Sequence, residues 1–242
     1  MSFDEFIKLL TKEDLEKINK YFNEQQNTKP VYNFSKIKIK DLEKLFDLKM
    51  IFDDEIFDHW FDNRFSLQES DKQFLDHLLE QEGKLLRIYN EEDLKIHFIS
   101  PILNRIRFKS LKNEIRDFYE EFLSYETEDF ILKGVADFFV AKGIKSPKNP
   151  YFFIQEFKRG REYSDPEPQL IAELISAIEL NQFKTMKGVF IVGENWNFVI
   201  LNRLDKHQYQ YATSRTFNAN NRNDLQGIYK NLLFVKNEIF NY

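Results

Sequence analysis

The chain has 242 residues, with 26 Phe and 11 Tyr against 7 Gly and 6 Pro, and a formal net charge of −5. That length suits one larger domain, or a domain with an appended helical piece, and can bury a sizeable core; the composition excludes collagen-like and long disordered tracts. Zero Cys excludes disulfides, thiolate zinc sites and cysteine nucleophiles, and the lack of a leader-like start or of any apolar run near the roughly 20 residues of a membrane helix sets the expected location as cytoplasmic, without a membrane partner.

The first 89 residues read as a helical N-terminal subdomain. Phe3, Phe6, Ile7 and Leu10, then Leu15, Ile18 and Phe22, follow a 3–4 spacing, and residues 41–52, 55–61 and 70–79 look like further short helices. With no Gly/Ser/Pro-rich linker after it, this part is expected to pack on residues 90–242. Asn90-Glu91-Glu92-Asp93 opens a mostly apolar helix, with Asn90 as cap, acids at its positive end and Pro101 as a kink or stop. His97 on that helix is expected in the core.

Residues 115–123 and 129–141 have the bulky content of strands, 142–149 is a turn, and 150–158 is another buried strand. A helix over 169–180, a hairpin of 188–192 with 196–201 about Gly193-Glu194-Asn195, and a closing helix over 224–239 complete the order. This alternation predicts an α/β fold: a mixed four- to five-stranded sheet flanked by helices.

Within that order, Asp137 lies inside the apolar run Ile131 to Ala141. An unpaired buried carboxylate costs several kcal/mol, roughly, so a cation is expected beside it. Glu156 and Lys158 stand two apart on the next strand and share a face of the sheet. If the two strands pair, two carboxylates and a backbone carbonyl such as that of Phe157 make a hard oxygen site suited to Mg²⁺ or Mn²⁺, with Lys158 beside the attacking water or the transition-state charge.

Charge is distributed in keeping with a polyanionic partner. Residues 1–100 carry 15 Lys+Arg and 22 Asp+Glu, whereas 142–161 carry Lys142, Lys145, Lys148, Lys158, Arg159 and Arg161 against Glu156 alone. Lys142, Lys145, Arg159 and Arg161 are the candidates for contacts with nucleic-acid phosphates; the alternative for Lys142 to Lys148 is a solvated loop.

Asp137 followed by Glu156-Phe157-Lys158 after a hydrophobic strand resembles the PD-(D/E)XK, or restriction-endonuclease-like, superfamily, and most closely its small bacterial nuclease domains. The likeness covers roughly residues 90–202 and departs at Ala136, where the family name has Pro. It implies that Asp137 and Glu156 bind the metal and that Lys158 assists the attacking water. It also implies roles for Gln169 and Glu173, four apart on the following helix, and for Glu92 as an acid from the first core helix. The function expected is hydrolysis of phosphodiesters, in DNA rather than RNA.

The acid-x-Lys triplet alone is uninformative, since Asp47-Leu48-Lys49, Glu82-Gly83-Lys84 and Asp93-Leu94-Lys95 share it; only Glu156-Phe157-Lys158 follows a strand-like run. The alternative class is a catalytically inactive module of the same fold binding nucleic acid or a protein. The acidic N-terminal helices would then serve a protein partner or a homodimer. A purely structural α/β domain predicts instead that Asp137 and Glu156 point apart.

Overall fold

A computed structural model of the chain describes residues 10–26, 29–62, 65–158 and 165–242. Its helices are α1 (Lys12–Gln26), α2 (Ile39–Leu45), α3 (Asp58–Phe61), α4 (Glu69–Glu82), α5 (Glu91–Leu94), α6 (Ser100–Ile106), α7 (Pro166–Asn181) and α8 (Arg222–Phe240). The strands are β1 (Val31–Asn33), β2 (Asp47–Met50), β3 (Ile115–Glu126), β4 (Ile131–Lys142), β5 (Lys148–Lys158), β6 (Thr185–Val192), β7 (Asn195–Asp205), β8 (Gln208–Thr213) and β9 (Phe217–Asn218).

All nine strands join one mixed, strongly curled half-barrel sheet in the order β1-β4-β5-β6-β7-β8-β2, with β3 pairing β4 and β9 pairing β7. The β5–β6 pair is parallel and crosses over through α7, as parallel neighbours must; β3–β4, β4–β5, β6–β7 and β7–β8 are antiparallel. Each face carries its own core. On one, α3, α4, α6 and α8 bury Trp60, Leu75, Ile102 and Leu232 against Phe138, Phe153 and Phe198. On the other, α7 and the segment from Phe34 to Phe46 pack on Phe139, Ile154 and Phe190. α7 is buried around nearly its whole circumference, which its run Leu170-Ile171-Ala172 and Leu174-Ile175 requires. Pro166 and Pro168 fall in its first turn, where a missing N–H is harmless, and the Asp165 carboxylate accepts from the Glu167 N–H.

Several expectations need correction. The sheet has nine strands rather than four or five: β1, β2 and β9 are too short for a pattern search, and β8 has no counterpart among the expected strands. Among them, the expected helix of residues 41–52 is α2 followed by β2, which pairs in parallel with β8. β1 likewise extends the sheet beside β4. Thus the first 89 residues contribute strands as well as helices. The apolar positions at 3, 6 and 7 lie outside the described residues.

Pro101 does not stop its helix. A π-helical turn, Lys95–Ile99, joins α5 to α6, and the Ser100 N–H donates five residues back to the Lys95 carbonyl. Pro101 follows where the α-helical ladder is already broken. The wider turn leaves Phe98 and Ile99 buried and puts His97 outside, stacked on Tyr89 at 5.5 Å between ring centroids rather than in the core.

Candidate active site at a fork in the sheet

One edge of β4 pairs with β3 throughout. Its other edge changes partner: Ile131–Lys133 pair with β1, and Phe138–Lys142 with β5. Between them the edge from Gly134 to Asp137 has no strand rung among the described residues, and the sheet forks. Asp137 stands at the fork, one residue beyond the Phe138–Gln155 rung. Its side chain substitutes for the ladder, Oδ2 accepting from the Phe157 N–H at 2.8 Å. That bond ties β4 to β5 where their backbones part, and it satisfies a buried donor.

The same stretch of β5 delivers Glu156 and Lys158. Lys158 Nζ donates to Glu156 Oε1 at 2.6 Å and lies 3.9 Å from Asp137 Oδ2. The structure therefore brings Asp137, Glu156 and Lys158 together, and the two carboxylates do not point apart. Glu156 is wholly buried and its Oε2 has no hydrogen-bond partner. Behind it, on α7, Gln169 Nε2 donates to Glu173 Oε1 at 3.1 Å; Glu173 is also wholly buried, with Oε2 unpartnered. Two orphaned carboxylate oxygens in one interior are costly unless protonated or bound to a cation.

The electrostatics follow. Burial, and then the Asp137 charge, push the Glu156 carboxyl well above its ordinary 4.5, with Lys158 opposing. Burial and then Glu156 push Glu173 the same way, with the Gln169 amide opposing. Burial alone would pull Lys158 down, but Glu156 and Asp137 outweigh it, and its ammonium is held above the usual lysine value.

Three residues not singled out from the sequence complete the fork. Lys95, in the π turn, lies 3.2 Å from Asp137 Oδ1, 3.0 Å from Glu120 and 3.3 Å from Glu91, with its Nζ 5.6 Å from the centroid of the Phe157 ring. Burial depresses it, but Asp137 and Glu120 more than compensate, so it too is raised. It belongs to Asp93-Leu94-Lys95, one of the acid-x-Lys triplets that no strand-like run precedes. The acid of α5 nearest the fork is Glu91, whose charge also acts on Lys158; Glu92 is exposed and reaches only to 3.9 Å from Lys95.

The basic candidates are not assembled here. Lys142 is five residues along β4 from Asp137, roughly 17 Å at the rise of a strand, and Lys145 is in the turn beyond. Arg159 and Arg161 lie outside the described residues. Trp196, Tyr209, Tyr211 and Phe217 are core residues.

In donor chemistry the fork suits a hard divalent cation: two carboxylates, one with a buried, unpartnered oxygen. Among the described residues no three or more His, Asp or Glu side chains converge as a metal cage of their own. Binding through one or two carboxylates, with water and substrate completing the shell, is the mode of Mg²⁺ rather than of zinc or calcium. Comparison with known protein-family models and with characterised proteins gives no match.

Proposed function

We propose that the chain is a Mg²⁺- or Mn²⁺-dependent nuclease of PD-(D/E)XK type, hydrolysing phosphodiester bonds in DNA. The observation that carries this reading is the convergence of Asp137, Glu156 and Lys158 at the fork, with Asp137 fixed by the Phe157 N–H. A divalent ion bound there supplies Lewis-acid polarisation and a lowered pKa for water. Asp137 and Glu156 hold it through oxygen. The Lys158 ammonium, kept charged by both carboxylates, faces the anionic phosphoryl group and stabilises the charge that develops on it. Gln169 holds Glu173 through its amide donor, and the Glu156 charge bears on that buried carboxyl.

A specific observation also favours a second reading. Lys95 and Lys158 already neutralise Asp137 and Glu156, as in an inactive module that binds nucleic acid or a protein without cleaving. The purified chain with Mg²⁺ or Mn²⁺ is tested on single- and double-stranded DNA and on RNA. The nuclease reading predicts DNA cleavage abolished by EDTA and lowered at least about 10³-fold by Asp137→Asn, equal to ~4 kcal/mol of barrier. Salt-sensitive DNA binding without cleavage, unchanged in Asp137→Asn, supports the inactive module instead.

A further inference from the structure

Residues 1–100 are acidic as a whole, yet between residues 25 and 40 the chain has Lys29, Lys36, Lys38 and Lys40 and no acid. Lys29 pairs with Glu126 at 2.6 Å. Lys36 and Lys38 are exposed, and neither has an ion-pair partner among the described residues. The fold brings this stretch to the fork. β1 runs parallel beside Ile131–Lys133 of β4, and the 3₁₀ turn after it, Phe34–Lys36, packs on both β4 and α7. Phe34 closes on Gly134, three residues or roughly 10 Å along β4 from Asp137. A cavity of about 530 Å³ lies between this turn and the first turn of α7, a volume within the range of clefts that hold a ligand. Ile37 and Pro168 supply apolar lining, and Ser35, Lys36 and Lys38 polar lining. Asp165 is the acid among the lining residues, and its carboxylate is engaged in capping α7. The next residue after Pro168, Gln169, is bonded to Glu173, on which the Glu156 charge bears, so one turn of α7 reaches from the cavity to the fork. α2, further along, balances Lys40 and Lys44 with Asp41 and Glu43, which leaves the positive excess with Lys36 and Lys38.

We propose that this groove receives the nucleic-acid strand being cut, with Lys36 and Lys38 holding phosphates a few nucleotides from the scissile one. The proposal deepens the nuclease reading above and rests on it. Unpaired ammoniums beside apolar carbon match such a strand, in which anionic phosphates repeat next to the apolar faces of sugars and bases. At roughly 3.4 Å of axis per nucleotide, the Phe34–Gly134 contact stands about three nucleotides from Asp137. A lysine contacts phosphate as a point charge, so the groove holds the strand without reading its sequence. Lys36 and Lys38 touch no reacting atom and are positioning residues. They precede residue 90, outside the stretch that resembles the superfamily, so the N-terminal part contributes substrate binding as well as strands.

The test uses the full chain and a fluorescein-labelled single-stranded oligodeoxynucleotide, with binding followed by anisotropy in EDTA over a range of NaCl and cleavage followed separately in Mn²⁺. Lys36→Ala with Lys38→Ala is expected to lower the slope of log affinity against log salt by about 1.4, for two lost contacts, and to weaken binding at 0.1 M salt at least about tenfold. In cleavage the same variant should raise KM and leave kcat near wild type. Lys36→Arg with Lys38→Arg should restore both. Lys112→Ala with Lys184→Ala removes equal charge next to the starts of β3 and β6, at the other end of the sheet, and should leave the slope as in wild type. A Lys36→Ala, Lys38→Ala chain that keeps the wild-type slope and KM overturns the groove while wild-type cleavage leaves the nuclease reading standing. An equal fall in slope for the Lys112→Ala, Lys184→Ala chain also overturns it, since net charge alone then accounts for the effect. A lysine-dependent slope without cleavage by wild type supports the groove and removes the nuclease reading, and neither binding nor cleavage by wild type overturns both.

Discussion

At the scale of single residues, the chemistry of the fork is set by how two buried carboxyls share few cations. Glu156 and Glu173 each lack a partner for one oxygen, and burial raises both well above the ordinary carboxylate value. The sign of the pH effect follows from linkage. A carboxyl whose folded pKa exceeds its unfolded 4.5 binds its proton more tightly when folded, so its contribution to stability is complete below about pH 4.5 and is lost as pH rises through the higher folded value. The raised lysines behave differently: what they contribute is present below 10.5 and is lost only above it, outside the neutral window. Glu173→Gln, which retains the hydrogen bond to Gln169 and removes the titration, should therefore melt higher than wild type in EDTA, by an amount that grows as pH rises above 4.5 and levels off past the raised folded value. Each kcal/mol corresponds to roughly 2–4 °C for a chain of this size. A gain that shrinks as pH rises would show that Glu173 is stabilised as its anion.

At the scale of elements, the fork exists because β4 has two partners on one edge, and Gly134 lies where they separate. A Cβ on Gly134 would meet the Phe34 side chain at 2.8 Å, so β1 and the turn after it can close on β4 only because that residue is glycine. Gly134→Ala is expected to cost about 1–3 kcal/mol through overpacking, read from urea unfolding, and to lower cleavage as well because Asp137 is three residues along the strand. An unchanged midpoint would mean that Phe34 moves freely.

What the sequence revealed divides along the same lines. Asp137 was legible because a carboxylate among Val135, Phe138 and Phe139 has no cheap explanation, and Glu156 with Lys158 because strand periodicity puts them on one face. Lys95 was not legible: a lysine on a helix reads as solvated, and only a π turn and a left-handed glutamate across the sheet bring it inward. β1, β2 and β9 hold between two and four residues, too few to establish a period, and each is a strand only because a longer neighbour offers it an edge. For the basic residues at 142 and 145, sequence proximity to the motif does not become spatial proximity to the fork, since Lys142 stands five residues along β4 from Asp137.

At the scale of the whole molecule, the helical N-terminal part and the sheet are interdependent. Trp60, Leu75 and Leu78 share a core with α8 and the sheet, and the Trp60 indole donates to the Asn231 carbonyl at 2.9 Å. β1 and β2 supply outer rows of the sheet itself. A fragment of residues 90–242 should accordingly lose cooperative melting, as followed by circular dichroism at 222 nm. A sharp transition in the fragment would mean that the residues before 90 only decorate an autonomous domain. Among the described residues no helix is long and apolar enough to cross a membrane.

On the proposed reading the fork is a metal centre and not a site that its two lysines neutralise. A crystal soaked in Mn²⁺ and measured at the manganese absorption edge separates the two. An anomalous peak bounded by oxygens of Asp137 and Glu156, with Lys95 still paired to Asp137, is expected. A map with no peak there, and with Lys158 still bridging Glu156 and Asp137, would contradict it.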